Sequence, residues 1–308
     1  MFHPIHLFPL HSIFFFLLSQ LILSQEINLK SFEIFKPNHI PFIESHRGVN
    51  KEFPENTLRA FQNALDNNID GIELDVWLSK DNIPVVVHGS FMGFLFFYYK
   101  KAFGFVGNYL LNELKQLEVR NGNDKMPTLE EVFKLSQKKI FINIELKDKR
   151  CDKLFPILIE LIKKYDMFEK ISISSFHHKY AKYVYDFNQK NKQKIEFGFL
   201  YRKKIFFDLF KYDMQNTTLN IYYTDATKER CDKAHEKGMA VIAWFRMKDK
   251  ENNDIYKNLF DNGVDCIISN FPKEAKMFRD NYFRNNTKYN ISSKHEYNFY
   301  KREKEEML

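Results

Sequence analysis

From Pro41 onward the apolar residues follow two alternating rhythms. Ile72, Leu74 and Val76 alternate with Glu73, Asp75 and Trp77, and Ile142, Ile144 and Leu146 alternate with Asn143, Glu145 and Lys147. This period of two predicts strands with one polar face. Between such runs the apolar spacing lengthens to three and four. Leu58, Phe61, Ala64 and Leu65 form one stripe and predict a helix over 57–67, capped by Asn56 or Thr57. Thr128 and Glu131 form a capping box that opens a helix to about residue 137. Further helices are expected over 152–165, 177–188, 227–237 and 251–262, the last two ended by Gly238 and Gly263. Strands are expected over 41–48, 140–147, 171–174, 195–200, 219–223, 240–244 and 266–269. With the strand near residue 73 they number eight, alternating with helices, which predicts an α/β fold of the TIM (β/α)8 barrel type.

One run breaks the alternation. Pro84-Val85-Val86-Val87 follows the strand of Glu73 and Asp75 after the turn residues Lys80-Asp81-Asn82. So short a link cannot carry a parallel crossover, so these residues should fold back as an antiparallel hairpin arm. Folded about Lys80-Asp81, the arm brings His88 roughly opposite Glu73. A small insertion, about 89–126, follows; its residues 91–109 hold nine aromatics, broken by Lys100, Lys101 and three glycines. It reads either as a packed insertion core or as an apolar patch for membrane or lipid contact.

Composition adds location more than chemistry. The apolar run 13–23 has the length of a signal-peptide core, so residues 1–24 are expected to be a cleaved signal peptide or a membrane anchor, placing the protein in the secretory pathway, secreted or membrane-associated. Sequons at Asn216, Asn285 and Asn290 are compatible with that route. Past about residue 280 the chain is Asn- and Lys-rich without periodicity and is expected to be a mobile polar tail. The net charge of +7 suits an anionic substrate or surface, and nothing points to nucleic acid. Cys151, Cys231 and Cys266 lack metal spacing and read as packing residues, and His39, His177, His178, His235 and His295 as surface or capping residues without convergent acids.

In a TIM barrel the carboxyl ends of the strands carry the chemistry, and His46, Glu73, Asp75, Glu145, Lys147 and Trp244 all lie at or near such ends. His46-Arg47-Gly48, Pro54-Glu55-Asn56-Thr57, Gly71-Ile72-Glu73-Leu74-Asp75-Val76, the arm ending in His88, Pro127-Thr128-Leu129-Glu130, Ile144-Glu145-Leu146-Lys147 and 263–270 follow one another in the order and spacing of the glycerophosphodiester phosphodiesterase family, which the chain resembles over about residues 41–279. The resemblance implies hydrolysis of glycerophosphodiesters to a glycerol phosphate and an alcohol with a divalent cation. It implies His46 and His88 as the acid/base pair, Glu73, Asp75 and Glu145 as metal ligands, Arg47 and Lys147 as phosphate contacts, and Trp244 packed on the glycerol. Three carboxylates without thiolates suit Mg²⁺ or Ca²⁺. The nucleophile is water or the substrate's own 2-hydroxyl.

The chain departs from the family at Gly89, where Asp follows the second histidine, at Ser269-Asn270 in place of Thr-Asp, and at Trp244-Phe245-Arg246 in place of Trp-Thr-Val. These departures bear on the alcohol. The aromatic stretch with its lysines favours a lysophospholipid, cleaved to lysophosphatidic acid, over a soluble diester. The alternatives are a phospholipase of the phosphatidylinositol or sphingomyelinase D type, or a non-catalytic phospholipid-binding barrel.

Overall fold

A computed structural model of the protein describes residues 40–89, 104–118, 123–202 and 217–285. The expected signal segment, residues 91–103 of the aromatic stretch and the tail beyond Asn285 lie outside the described residues. No helix among the described residues is long and apolar enough to cross a membrane.

The strands are β1 (Phe42–His46), β2 (Gly71–Leu78), β3 (Pro84–Val86), β4 (Phe141–Leu146), β5 (Ile171–Ser175), β6 (Glu196–Tyr201), β7 (Thr217–Tyr222), β8 (Ala240–Trp244) and β9 (Cys266–Ser269). Eight of them pair in parallel in the order β1-β2-β4-β5-β6-β7-β8-β9, and β9 closes onto β1, which completes the expected TIM barrel. The helices are α1 (Leu58–Asp66), α2 (Leu111–Leu114), α3 (Leu129–Ser136), α4 (Cys151–Lys164), α5 (Lys179–Asn191), α6 (Lys228–Glu236), α7 (Asn253–Asp261) and α8 (Pro272–Asn285). Their starts follow local chemistry. Thr57 Oγ1 accepts the Ala60 N–H at α1, and Thr128 and Glu131 complete a reciprocal capping box at α3. Each such cap stabilises by about 1 kcal/mol.

The main core lies between the outer faces of the strands and the helices, with Ile72, Leu74, Ile142 and Ile144 packed against residues such as Phe61, Leu158 and Tyr180. The inside of the barrel is different. Phe42, Ala240, Ile242, Cys266, Ile268 and Trp244 pack together on one side. Around the rest of the ring lie Glu44, Asn143, Ser174, Glu196, Thr218 and Asn220, all buried, with Glu44 beside Ile268 and Asn220 beside Ile242. Asn143 donates to Glu44 Oε2 (2.9 Å) and accepts from Ser174 Oγ (2.9 Å). Gly198 makes room here, because a Cβ on it would stand 2.6 Å from Asn220 Nδ2.

The arm β3 extends the sheet by a route the sequence does not show. One edge of β2 runs along β4, while β1 takes the lower part of the other edge, from Gly71 to Glu73. β2 continues past the rim, and β3 pairs antiparallel with its upper part, Val76 opposite Val86. The register differs by one residue from that expected: Val87 N donates to the Asp75 carbonyl (3.0 Å), so His88 comes down beside Asp75 rather than opposite Glu73. The described part of the insertion packs on the arm in a small separate core, Val85, Val87, Val106, Leu114 and Met126.

Two expectations shift at the far end. α8 runs six residues into the stretch expected to be tail, and Phe283 is buried against Phe260. His235 does have an acid partner, Asp265 Oδ2 at 2.8 Å. That carboxylate also accepts from Val241 N, which makes the pair a structural tie between α6 and the start of β9. The cysteines are all free and buried, as expected.

Candidate active site

The carboxyl ends of β1, β2 and β4 bring seven of the eight expected residues into one cluster. β2 carries Glu73 and Asp75 inward, and β4 carries Glu145 in register with Asp75. One oxygen from each of the three buried carboxylates lies within 4.8 Å of the others. Lys147 follows β4 and sets Nζ 2.8 Å from Glu145 Oε1 and 3.2 Å from Asp75 Oδ1. Arg47 reaches the same acids from β1, with Nε 3.2 Å from Asp75 Oδ2 and Nη1 2.9 Å from Glu55 Oε2. Its backbone N–H donates to Glu73 Oε2 (3.1 Å).

That backbone contact depends on a left-handed turn, with Arg47 at φ 58° and Gly48 at φ 79°. A Cβ on Gly48 would stand 2.8 Å from the Ala60 Cβ, so only glycine lets the turn sit on α1. Asn56, itself at φ 55°, donates to Asp75 Oδ2 (2.9 Å).

His46 ends β1, and its Nδ1 lies 2.9 Å from Asn270 Oδ1. The Asn270 amide group donates to Glu251 Oε1 and to the Arg246 carbonyl, so its oxygen is the atom turned to the imidazole. Nδ1 therefore carries the proton, and Nε2 is left as an acceptor. His88 is fixed through its backbone, where its carbonyl accepts from Trp77 Nε1 (3.2 Å).

The electrostatics follow from crowding charge without water. Burial, reinforced by the negative charges of Asp75 and Glu145, holds Glu73 well above the usual carboxylate range. Burial also raises Glu145, against the pull of Lys147. At Asp75 burial acts upward too, but Lys147 and Arg47 outweigh it and hold the carboxyl low. Burial, helped by Arg47, pushes His46 down to about 3, and burial pushes His88 down to about 4, against the attraction of Asp75. Both imidazoles are thus neutral near pH 7 and open to accept protons.

Trp244 stands apart from this cluster, separated from Lys147 by Phe176. Its ring meets Phe176 edge-on at 6.0 Å and Tyr222 at 5.2 Å, and its buried Nε1 has no hydrogen-bond partner.

The match to known proteins agrees with this geometry. The model of the glycerophosphoryl diester phosphodiesterase family matches residues 46–274, which spans every residue of the cluster. This chain belongs to that family. A glycerophosphodiester phosphodiesterase of Caldanaerobacter subterraneus subsp. tengcongensis is 31% identical over 241 residues, covering 74% of this chain and 93% of that protein. Among solved structures, a candidate glycerophosphodiester phosphodiesterase of Galdieria sulphuraria is 28% identical with a TM-score of 0.66, covering 78% of this chain and 98% of that one. An Oleispira antarctica phosphodiesterase, solved with its product sn-glycerol-3-phosphate, shares the fold at 22% identity and a TM-score of 0.66, over 78% of this chain and 97% of that one. The family makes the protein an enzyme of known class, a glycerophosphodiester phosphodiesterase that hydrolyses phosphoric diesters.

Several residues that touch this cluster or Trp244 carry no signal in the sequence. Asn270 was noted only as a departure, and its role rests on a contact between the first and last strands. Glu55 and Asn56 sat in a quoted motif without an assigned task. Phe176 follows β5 and Tyr222 ends β7, and no spacing marks them as neighbours of Trp244, nor Arg202, after β6, as a neighbour of Phe176.

Proposed function

We propose that the protein is a divalent-cation-dependent phosphodiesterase that cleaves glycerophosphodiesters, and their acylated relatives the lysophospholipids, to a glycerol phosphate or lysophosphatidic acid plus an alcohol. The observation that carries the reading is the trio of buried carboxylates with a neutral imidazole on either side. Three acids so close cannot all ionise alone, as the raised Glu73 and Glu145 record. The buried Asp75 Oδ1 also makes no hydrogen bond, although Lys147 lies near it. An all-oxygen donor set of this kind fits Mg²⁺ or Ca²⁺, with Glu73, Asp75 and Glu145 as the ligands. Such an ion would supply charge neutralisation at a phosphoryl oxygen.

The residues divide the remaining work. His46 Nε2 takes the proton of the nucleophile, water or the substrate's glycerol 2-hydroxyl, as its oxygen bonds to phosphorus. The bond from phosphorus to the alcohol oxygen breaks, and His88 delivers a proton to that oxygen. Free His88 is neutral at pH 7, so the negative charge of the bound diester is what loads it. Arg47 and Lys147 face the charge growing on the phosphoryl oxygens. Trp244 packs the glycerol. With the 2-hydroxyl as nucleophile a cyclic phosphate is the first product, which phosphorus NMR distinguishes from the open ester.

The lysophospholipid part rests on apolar surface near the mouth. Two of the four exposed large hydrophobic residues among those described, Phe105 and Leu110, belong to the insertion that follows His88. The apolar run 13–23 supports delivery to the secretory pathway. The test is release of phosphomonoester or alcohol from paired glycerophospho- and lysophospholipid substrates, with Mg²⁺, Ca²⁺ or EDTA. Absence of cleavage under every condition overturns the reading. Equal kcat/KM for each acylated and deacylated pair, with or without residues 91–109, overturns its lipid part.

A further inference from the structure

Three cations surround the mouth on the side of His88, and two are already held by acids. Arg47 is shared between Glu55 and Asp75, and Lys147 between Glu145 and Asp75. Arg202, the residue after β6, has no carboxylate within ion-pair distance among the described residues. Its guanidinium instead lies over the ring of Phe176, 4.7 Å from the centroid. Lys147 Nζ sits 5.9 Å from the centre of the same ring. Phe176 is thus a platform between the phosphate end of the site and a cation that has no acid of its own among the described residues. The charge of Arg202 also reaches His88, where it adds to the downward pressure on the imidazole.

These positions assign a direction. In the proposed reaction His88 protonates the alcohol as it leaves, so the alcohol departs on the side of His88, Lys147 and Phe176. Glycerol takes the side of Trp244, whose ring meets that of Phe176 edge-on, so Phe176 divides the two halves of the substrate. We propose that Phe176 and Arg202 form the subsite for the leaving alcohol, and that this subsite selects alcohols bearing an anionic group over alcohols bearing an ammonium.

An aromatic wall with open faces would suit a quaternary ammonium. Here the face of Phe176 is covered by a guanidinium, and that of Tyr222 by Arg246 at 4.5 Å. A cationic alcohol at Phe176 would meet the like charge of Arg202, and the Tyr222 ring beside Trp244 already carries a cation of its own. An alcohol carrying a phosphate or carboxylate would meet a planar, pre-positioned donor fork. Stacking on Phe176 removes part of the side-chain freedom that binding would otherwise cost.

The subsite rests on the proposed reaction, and the experiment separates the two. Three diesters of the same glycerol phosphate, with choline, glycerol and inositol phosphate as alcohols, are compared by kcat/KM at low and high salt. The expected order is anionic, then neutral, then cationic. Each step is roughly three- to tenfold, the scale of a partly exposed ion pair, and narrows as salt rises. Arg202→Gln should lower kcat/KM for the inositol phosphate diester and raise it for the choline diester, while Arg202→Lys retains the order. A wild-type preference for choline, or an order that survives Arg202→Gln, overturns the subsite. If none of the three is cleaved, the reaction itself is wrong. The subsite is then read by calorimetric titration with the inositol phosphate and choline diesters, and equal affinities overturn it.

Discussion

At the carboxyl ends of the strands Glu73, Asp75 and Glu145 share Arg47 and Lys147, whereas further down the same barrel Glu44 and Glu196 have no cation within ion-pair distance among the described residues. Both groups are buried. In the upper one, cations hold Asp75 ionised and offset part of the burial acting on Glu145. In the lower one, burial pushes Glu44 up to about 8, and burial with the nearby negative charge of Glu44 pushes Glu196 up to about 8. Glu44 Oε1 and Glu196 Oε2 lack hydrogen-bond partners altogether. The difference shows that a strand-borne carboxylate becomes chemically useful here only where the neighbouring loops supply counter-charge. The turn Arg47-Gly48 and the residue after β4 do this for the mouth, and among the described residues nothing comparable reaches the floor.

The largest effect should come from disabling the mouth without touching its charge balance. His46→Ala or His88→Ala should reduce kcat by at least about a hundredfold, the usual scale for loss of a general acid or base. Thermal unfolding should hardly change, which a melting curve beside the kinetics checks. Next in size is making the mouth resemble the floor. Lys147→Met leaves Asp75 and Glu145 with one cation fewer, and turnover should fall on the order of a hundredfold through lost charge stabilisation. A variant as active as wild type would mean that Lys147 serves the fold alone.

Asn270→Asp sharpens the comparison by adding an acid to the mouth. A carboxylate on His46 Nδ1 favours the imidazolium and raises the pKa of His46 from about 3. The acid limb of the kcat/KM profile should move toward neutral pH, a shift that a purely structural asparagine would not produce.

The smallest effect lies in the floor. Glu44 and Glu196 are protonated in the folded protein up to about pH 8 and ionise in the unfolded chain above their ordinary value of 4.5, so between these values the folded state holds more protons. Stability therefore falls as pH rises from 4.5 to 8. Glu44→Gln should flatten that slope and raise Tm above pH 8 by on the order of 5 °C, with little effect at acid pH. Calorimetry across the range decides it, and an unchanged slope would show the two acids to be solvated.

The barrel and the upper cluster were legible because both are written locally. The period of two fixes which residues of β2 and β4 face inward, and a carboxylate three or five residues into such a strand has one place to go. β8 and β9 were found to the residue for the same reason. What was hidden depends on contacts between distant segments. The register of His88 is set by how far β2 overshoots the rim, and the role of Asn270 by closure of the barrel. α8 escaped because Lys, Arg and Asn interrupt its stripe of Ala275, Phe278 and Tyr282. Its place is secured by Arg279, which donates to the Pro41 carbonyl and pairs with Asp70.

The pairing of β9 with β1 also sets when the enzyme becomes competent during its own synthesis. Glu73, Asp75, Glu145, both histidines, Arg47 and Lys147 have all been made by residue 147, yet the amide that meets His46 arrives only at residue 270, followed by the helix that ties down Asp70 and the start of β1. A nascent chain stopped short of that point carries a full set of reactive groups and a histidine free to take the wrong tautomer. Chemistry is thereby withheld until residue 270 has been made, and a product truncated before Asn270 should be inert even where its remaining strands have formed.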